Sequence, residues 1–242
     1  MKIVEIDQDV ENDWNEYVLN HYQSTFYHQF GWRYVVEQSY GHTPIYLVAM
    51  ENKKIVGVFP IFLMKSLFFG KKLISIPFGS YGGPLADNKE IYAGLIKRGK
   101  KIAEENKVKF LEIRANPNFI NINNNNFLIT KNQDFVTSIL ELYDNVDKMW
   151  RYLKKNKRKT ITKSEKVDQY FTWDSKIDNF YQIYSTNMHD LGTPVHSKNF
   201  FKNLLKIFPN NVKIQIIIKE DKIIYSAFYI IFKDSTGIFL VS

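Results

Sequence analysis

The apolar positions of this chain fall into short alternating runs and helical stripes. Lys2–Ile6 alternates and predicts a strand. A helix is expected over about Val10–His21, capped by Asp9, with Trp14, Tyr17 and Val18 on one face. Phe26–Gln29 reads as extended, and Gly31–Ser39 as a second helix with Trp32, Val35 and Val36 inward. Thr43–Met50 and Ile55–Leu63 predict a hairpin closed by the polar loop Glu51-Asn52-Lys53-Lys54. A strand over Lys72–Ile76 runs into Pro77 and the punctuated loop Phe78-Gly79-Ser80-Tyr81-Gly82-Gly83-Pro84. Then come a helix over about Lys89–Asn106, a strand at Val108–Arg114, a polar loop from Asn116 to Asn126 and a strand at Phe135–Tyr143.

The character changes at Asn145. One very basic helix is predicted over about Val146–Lys166, followed by an extended Asp168–Trp173. Two helices, Ile177–Asp190 and Ser197–Phe208, flank Leu191-Gly192-Thr193-Pro194-Val195-His196. Val212–Lys219, Lys222–Phe232 and Gly237–Val241 read as a three-strand meander. At an offset of 168, Lys54-Ile55-Val56 meets Lys222-Ile223-Ile224 and Tyr46–Met50 meets Ile214–Ile218, so an internal duplication is the favoured organisation. The expected units are 1–144 and 145–242. Measured against its first half, the second reads as cut short at Ser242, with an open sheet edge.

With 242 residues, 45% hydrophobic, the chain can bury a substantial core. Lys+Arg 33 against Asp+Glu 25 gives +8, which favours polyanionic partners. The absence of Cys excludes disulfides, thiolate zinc and a cysteine nucleophile. The acidic N-terminus does not resemble a signal peptide, no apolar run is long enough to span a bilayer, and a cytoplasmic location is expected.

Candidate chemistry concentrates in three places. From Arg151 to Lys166 there are eight cations, Arg158, Lys154 and Lys163 among them, and one acid, Glu165. Such crowding is relieved by an anionic partner, or is simply a solvated face. The Gly79–Pro84 loop feeds a helix and offers the backbone N–H groups of Tyr81, Gly82 and Gly83 to an anion, or only shapes a turn. His189, Asp190 and His196 lie close together, but no metal site is expected; Gly192-Thr193-Pro194 is expected to set a turn, with Asp190 or Thr193 available for hydrogen bonding or for lining a groove. Arg33 is expected to point outward, either toward a phosphate or simply as an exposed charge. No catalytic triad or Walker loop can be assembled, and no catalytic residue is assigned.

Several segments together resemble the FemAB/FemX family. They are Phe26-Tyr27-His28-Gln29-Phe30-Gly31-Trp32, Gly57-Val58-Phe59-Pro60, Pro77-Phe78-Gly79, Tyr81-Gly82-Gly83-Pro84, and Trp150 followed by Lys154, Arg158, Ile161 and Lys163. Leu191-Gly192-Thr193-Pro194 with Phe200-Phe201 resembles the exosortase- and exopolysaccharide-associated subgroup. The resemblance implies an α+β fold of tandem GNAT-like modules, with mixed sheets flanked by helices and the second module incomplete. It implies N-acyl or aminoacyl transfer to an amine of a cell-envelope peptidoglycan or polysaccharide precursor. Aminoacyl-tRNA is the expected donor and acyl-CoA the runner-up, with no resident cofactor. A phosphate-bearing small-molecule acceptor, tRNA and peripheral contact with the inner membrane surface are the expected partners; DNA is not. Arg158 is favoured as a phosphate contact, with Lys154 and Lys163 beside it, and Tyr225 as a further groove residue. Two departures stand out: Arg33 and Val36 occupy the region of a substrate-binding lysine, and a late catalytic lysine would lie past Ser242, so the 242-residue chain is expected to be inactive as a transferase. A non-catalytic RNA- or nucleotide-binding module is the alternative from a different class.

Overall fold

A computed structural model describes residues 1–6, 8–66, 70–114, 139–174 and 176–241. Two sheets organise them. The first contains β1 (Lys2–Ile6), β2 (Thr43–Glu51), β3 (Lys54–Ser66), β4 (Gly70–Ile74), β5 (Leu85–Ala86) and β6 (Leu111–Glu112), with β1-β2-β3-β4-β6 as its path and β5 paired to β3. The pairings are antiparallel except that of β4 with β6, which is parallel. The second holds β7 (Tyr170–Asp174), β8 (Val212–Lys219), β9 (Lys222–Phe232) and β10 (Ser235–Val241) in the order β10-β9-β8-β7, antiparallel throughout.

The helices are α1 (Glu11–Asn20), α2 (Gly31–Tyr40), α3 (Lys89–Glu105), α4 (Val146–Tyr152), α5 (Lys155–Ser164), α6 (Ile177–Asp190) and α7 (Lys198–Ile207). Helices α1 and α2 cover one face of the first sheet, and α3 covers the other through Ile91, Leu95 and Ile102 packed on Leu47, Phe59 and Ile61. Helices α6 and α7 cover one face of the second sheet. The duplication is visible in detail. Displaced by 168 positions, β1 falls on β7, and the β2–β3 hairpin falls on β8–β9. Both hairpins turn through two residues of positive φ, Asn52-Lys53 and Glu220-Asp221, as tight hairpin turns require. Both carry a register shift at the same place, between Ala49 and Met50 and between Ile217 and Ile218.

The units share one apolar core. Helices α2 and α7 lie against each other, and Phe26 packs on Phe208 with ring centroids 4.6 Å apart. Trp32 meets Phe200 at 6.0 Å. The Lys233 ammonium of the second unit donates to the His21 carbonyl and the Ser24 hydroxyl of the first, at 2.8 and 2.7 Å.

Some local expectations are corrected. Phe26–His28 is a 3-10 turn and not extended, because the buried His28 ring accepts the Thr25 N–H at 3.0 Å and folds the segment back. Asp9 does not cap α1; it sits in a 3-10 turn, and Val10 takes the cap position without a side-chain bond. The basic helix is two helices, broken at Leu153 and Lys154, both extended in ψ. No residue of either is buried, so no packed face offsets the repulsion between clustered cations. Of the strand expected at Phe135–Tyr143, residues 139–143 lie in no strand. The rest of it, and the Asn116–Asn126 loop, fall outside the described residues.

Candidate functional site

The two loops singled out in the sequence meet where the units join. Strand β4 runs on through Ser75-Ile76-Pro77 to Phe78, which takes a left-handed φ of 64°. Such a backbone is costly for a bulky side chain and persists only where its surroundings hold it. Here the holders are aromatic. The Phe78 ring lies 4.4 Å from Tyr40 and 6.1 Å from His42, both of the first unit. It lies 5.4 Å from His196 and 6.0 Å from Phe200, of the second. Phe200 is fully buried beneath the cluster, while Tyr40, His42, Phe78 and His196 are half-buried and reach the surface.

Polar groups inside this seam are specifically engaged. The Tyr40 hydroxyl and His196 Nδ1 are 3.0 Å apart. The His196 N–H donates to the Tyr184 hydroxyl at 2.9 Å, and the Tyr181 hydroxyl donates to the His196 carbonyl at 3.2 Å. Burial pushes the His196 imidazole below its usual pKa. His42 is also pushed down, first by burial and then by the Lys72 charge. Both are therefore neutral at pH 7 and able to accept a proton.

The Gly79–Pro84 loop is pinned from below. Gly82 donates its N–H to the Arg114 carbonyl at 2.7 Å. The Thr25 hydroxyl donates to the Tyr81 carbonyl at 2.8 Å, and His28 Nε2 lies 2.9 Å from the Gly83 carbonyl. The Arg114 guanidinium donates to the Gly79 carbonyl at 3.0 Å and pairs with Glu112 at 2.7 Å. A Cβ on Gly82 would stand 1.7 Å from Ile76 Cγ1, so only glycine fits. The anion cradle imagined in the sequence thus has its Gly82 N–H committed inside the fold. Its half-exposed member is Tyr81. Beneath the loop, β4 and β6 run parallel with their carboxyl ends toward it, and a crevice beyond the carboxyl ends of parallel strands is a recurrent ligand position.

The other candidates lie elsewhere. Lys154 caps α5, whose Lys163 is exposed and whose Arg158 is half-buried. Arg33 does not point outward: its guanidinium lies over the Phe30 and Tyr46 rings at 5.6 and 5.9 Å and reaches the Ile6 carbonyl at 3.4 Å. Asp190 borders a shallow depression on α6 with Gln182 and Asn187. Thr193 is exposed on the loop that ends at His196. Tyr225 projects from the outer face of the second sheet, opposite Ile217. The sequence reading passed over Tyr40 and His42 and treated His196 only as a metal candidate. Their signal was faint: an aromatic residue at a helix end and imidazoles just outside helix ends. Among the described residues, no group of three or more His, Asp or Glu is placed to hold a metal ion, and no helix is long and apolar enough to cross a membrane.

No protein-family model and no curated protein matches the chain. Among solved structures, FemX superposes with a TM-score of 0.65 over 90% of this chain. This is a FemX-like fold. The sequences are 14% identical, and the chain spans 57% of the FemX chain. A ribosomal-protein-alanine N-acetyltransferase of Brucella melitensis matches 59% of this chain at 12% identity, with a TM-score of 0.39. An aminoglycoside 6'-N-acetyltransferase of Acinetobacter haemolyticus matches 58% at 10% identity and 0.37. The FemX-like fold carries the expected tandem of α+β modules, with six strands in the first and four in the second among the described residues.

Proposed function

We propose that the protein is an N-acyltransferase that holds an amine acceptor at the seam between its two units. The observation that carries this reading is the FemX-like fold over 90% of the chain, combined with a half-exposed seam to which both units contribute neutral imidazole and tyrosine. The donor is aminoacyl-tRNA, and the acceptor is the amine of a cell-envelope precursor that bears a phosphate. Acyl-CoA is the alternative donor.

The chemistry asks little of the protein. A neutral amine attacks the carbonyl of an activated ester; the tetrahedral oxyanion collapses and expels the ribose hydroxyl, and the nitrogen gives up a proton. Positioning and stabilisation of charge supply most of the acceleration. At the seam, the neutral imidazole of His196 is the group suited to take the amine's proton, held in orientation by Tyr40. Tyr81 and Thr193, on the two converging loops, are suited to line the acceptor. Arg158, Lys154 and Lys163 supply positive field to a phosphate-bearing ligand; Arg158 can do so with two parallel donors.

The test is transfer by the gene product as the cell makes it. Charged tRNA and acyl-CoA are offered in parallel with a nucleotide-sugar-linked peptide, and product is read by mass. A mass gain of one aminoacyl group from charged tRNA supports the reading. A gain only from acyl-CoA moves it to the alternative donor. No gain from either, with retained tRNA binding, favours a non-catalytic RNA-binding module.

A further inference from the structure

The connection from α1 to α2, residues 21–28, is bonded on two sides. One side faces the first unit's own loop. There the His21 and His28 rings are arranged alike. Each accepts a backbone N–H at Nδ1, from Gln23 at 3.2 Å and from Thr25 at 3.0 Å. A neutral ring that accepts at Nδ1 carries its proton on Nε2. His21 therefore donates to the Ala86 carbonyl at 3.4 Å, and His28 to the Gly83 carbonyl at 2.9 Å. Between them, the Thr25 hydroxyl donates to the Tyr81 carbonyl at 2.8 Å. These three donors hold the backbone from Tyr81 to Ala86, which includes the Tyr81-Gly82-Gly83 loop at the seam.

The other side of the connection is held by the second unit. Lys233 lies in the turn between β9 and β10, just past Phe232, which pairs with Ser235. Its backbone is left-handed, at a φ of 52°. That conformation is uncommon for a lysine and needs support from its surroundings. The side chain crosses to the first unit. Its ammonium donates to the His21 carbonyl and the Ser24 hydroxyl, and the Ser24 hydroxyl donates in turn to the His21 carbonyl at 2.8 Å, so the three groups close a ring of bonds. The place has an electrostatic reason. His21 stands at the carboxyl end of α1, where the last carbonyls lack helical partners and carry partial negative charge. Helix α1 has no basic residue in its own last turn. Lys233 supplies that cation from the other unit, through bonds about twice as strong as neutral ones.

The bonds form a continuous path. It runs from Lys233 to Ser24 and His21, along the chain to Thr25 and His28, and on to the Tyr81 and Gly83 carbonyls. Arg114 fixes the same loop at Gly79 and Gly82. The connection fixes it at Tyr81 and Gly83, and Lys233 ties that second set of bonds to the second unit.

We propose that Lys233 is a positioning residue for the seam. By holding residues 21–28 it sets the place of the Tyr81-Gly82-Gly83 loop, so that the β9–β10 turn of the second unit governs a loop of the first. Its effect on the acceptor rests on the acceptor site proposed above; its effect on the loop does not.

The experiment is amide hydrogen exchange on the whole protein, followed at Gly82, whose N–H is bonded to the Arg114 carbonyl. Lys233→Met keeps a stem of similar length and loses the donors. It is compared with wild type and with Leu95→Val, a substitution in the separate apolar cluster under α3. Denaturant brings the two variants to equal global stability before exchange is read. In Lys233→Met, Gly82 should exchange about tenfold faster or more, the scale of a lost hydrogen bond from a charged donor. In Leu95→Val it should stay within about threefold of wild type, because that change opens no path to the loop. Equal Gly82 exchange in the two variants would overturn the proposal, by reducing Lys233 to a general stabiliser. So would acceleration in Lys233→Met that is as large across β2 and β3 as at Gly82. The kinetic arm uses charged tRNA and a nucleotide-sugar-linked peptide. Lys233→Met should raise the KM for the peptide about tenfold and leave kcat within about threefold, the pattern of lost binding without lost chemistry. Faster exchange at Gly82 with an unchanged KM would leave the positioning of the loop standing and count against the acceptor site at the seam alone.

Discussion

Tyr40 closes α2 of the first unit, and its hydroxyl meets His196 Nδ1 of the second at 3.0 Å, across 156 positions of chain. Phe78 packs on both residues from a left-handed backbone. Both units therefore share the surface at which we place the acceptor. Tyr40→Phe removes the hydroxyl and keeps the ring. We expect acyl transfer to fall about 10- to 100-fold with the melting temperature nearly unchanged, less than the about 100- to 10,000-fold that a lost general base would cost. His196→Ala should fall at least as far. Steady-state rates and thermal melts on the same preparations check both.

A second expectation concerns the shared core. Phe208 is buried against Phe26. Phe208→Ala should cost about 3–5 kcal/mol through lost contacts and a residual cavity. Because the core is continuous, the two units should still melt in one transition. Calorimetry showing two separate transitions in the wild type would contradict this.

The loop below the seam depends on a residue without a side chain. Gly82→Ala drives a methyl group into Ile76. We expect destabilisation of at least about 1–3 kcal/mol, the usual scale of overpacking, and weaker acceptor binding as the loop shifts. Ser80→Ala, on the exposed part of the same loop, removes only a hydrogen bond to Tyr27 and should cost about 0.5–1.5 kcal/mol, without shifting the loop. Chemical denaturation distinguishes them.

Stability should depend on acid through His28. Its ring is buried, and burial lowers its pKa to about 4 from the ordinary 6.5. The folded state thus binds a proton less readily than the unfolded chain. This contribution is fully present above pH 6.5 and is lost progressively as pH falls toward 4. The linkage amounts to about 3 kcal/mol. His21, His42 and His196 are lowered too and act in the same direction. Denaturation midpoints between pH 7 and 4 should fall steeply, and His28→Gln should flatten the slope.

For the basic helix, Arg158→Ala should weaken a phosphate-bearing ligand by about 1–3 kcal/mol, the value of a charge-assisted hydrogen bond. Stability should move by less than about 1 kcal/mol, since no residue of α5 is fully buried and Arg158 itself is half-buried. Equal affinity of mutant and wild type for tRNA and nucleotide sugar would remove Arg158 from the site.

Much of the fold could be read from the sequence because it is written in local pattern. Alternation placed β2, β3, β8 and β9, and the charged two-residue turns aligned the hairpins across 168 positions. Where pattern failed, a tertiary contact decided. His28 folds Phe26–His28 into a turn through a ring bond that periodicity cannot show. The basic segment breaks at Leu153–Lys154, where both residues are extended in ψ although each favours helix; no residue of α4 or α5 is fully buried. The seam was half legible. Both of its loops stood out by their Gly and Pro, yet Tyr40 belongs to no motif, and Pro77-Phe78-Gly79 gave no sign that the Phe78 ring would bridge the two units. Their importance comes from α2 packing on α7, a pairing between residues far apart in the chain. Arg33 was misread for the same reason, since an Arg beside Trp32 looks exposed until Phe30 and Tyr46 are seen beneath it.

The most direct test is to mark where the acceptor amine sits. A nucleotide-sugar-linked peptide carrying a diazirine beside its free amine is photolysed on the protein, and labelled peptides are identified by mass. The account predicts label on Phe78–Pro84 and on Leu191–His196, one loop from each unit, with loss of both when unlabelled acceptor competes. Competed label confined to one unit, or found only on the second sheet's outer face, would contradict an acceptor site at the seam.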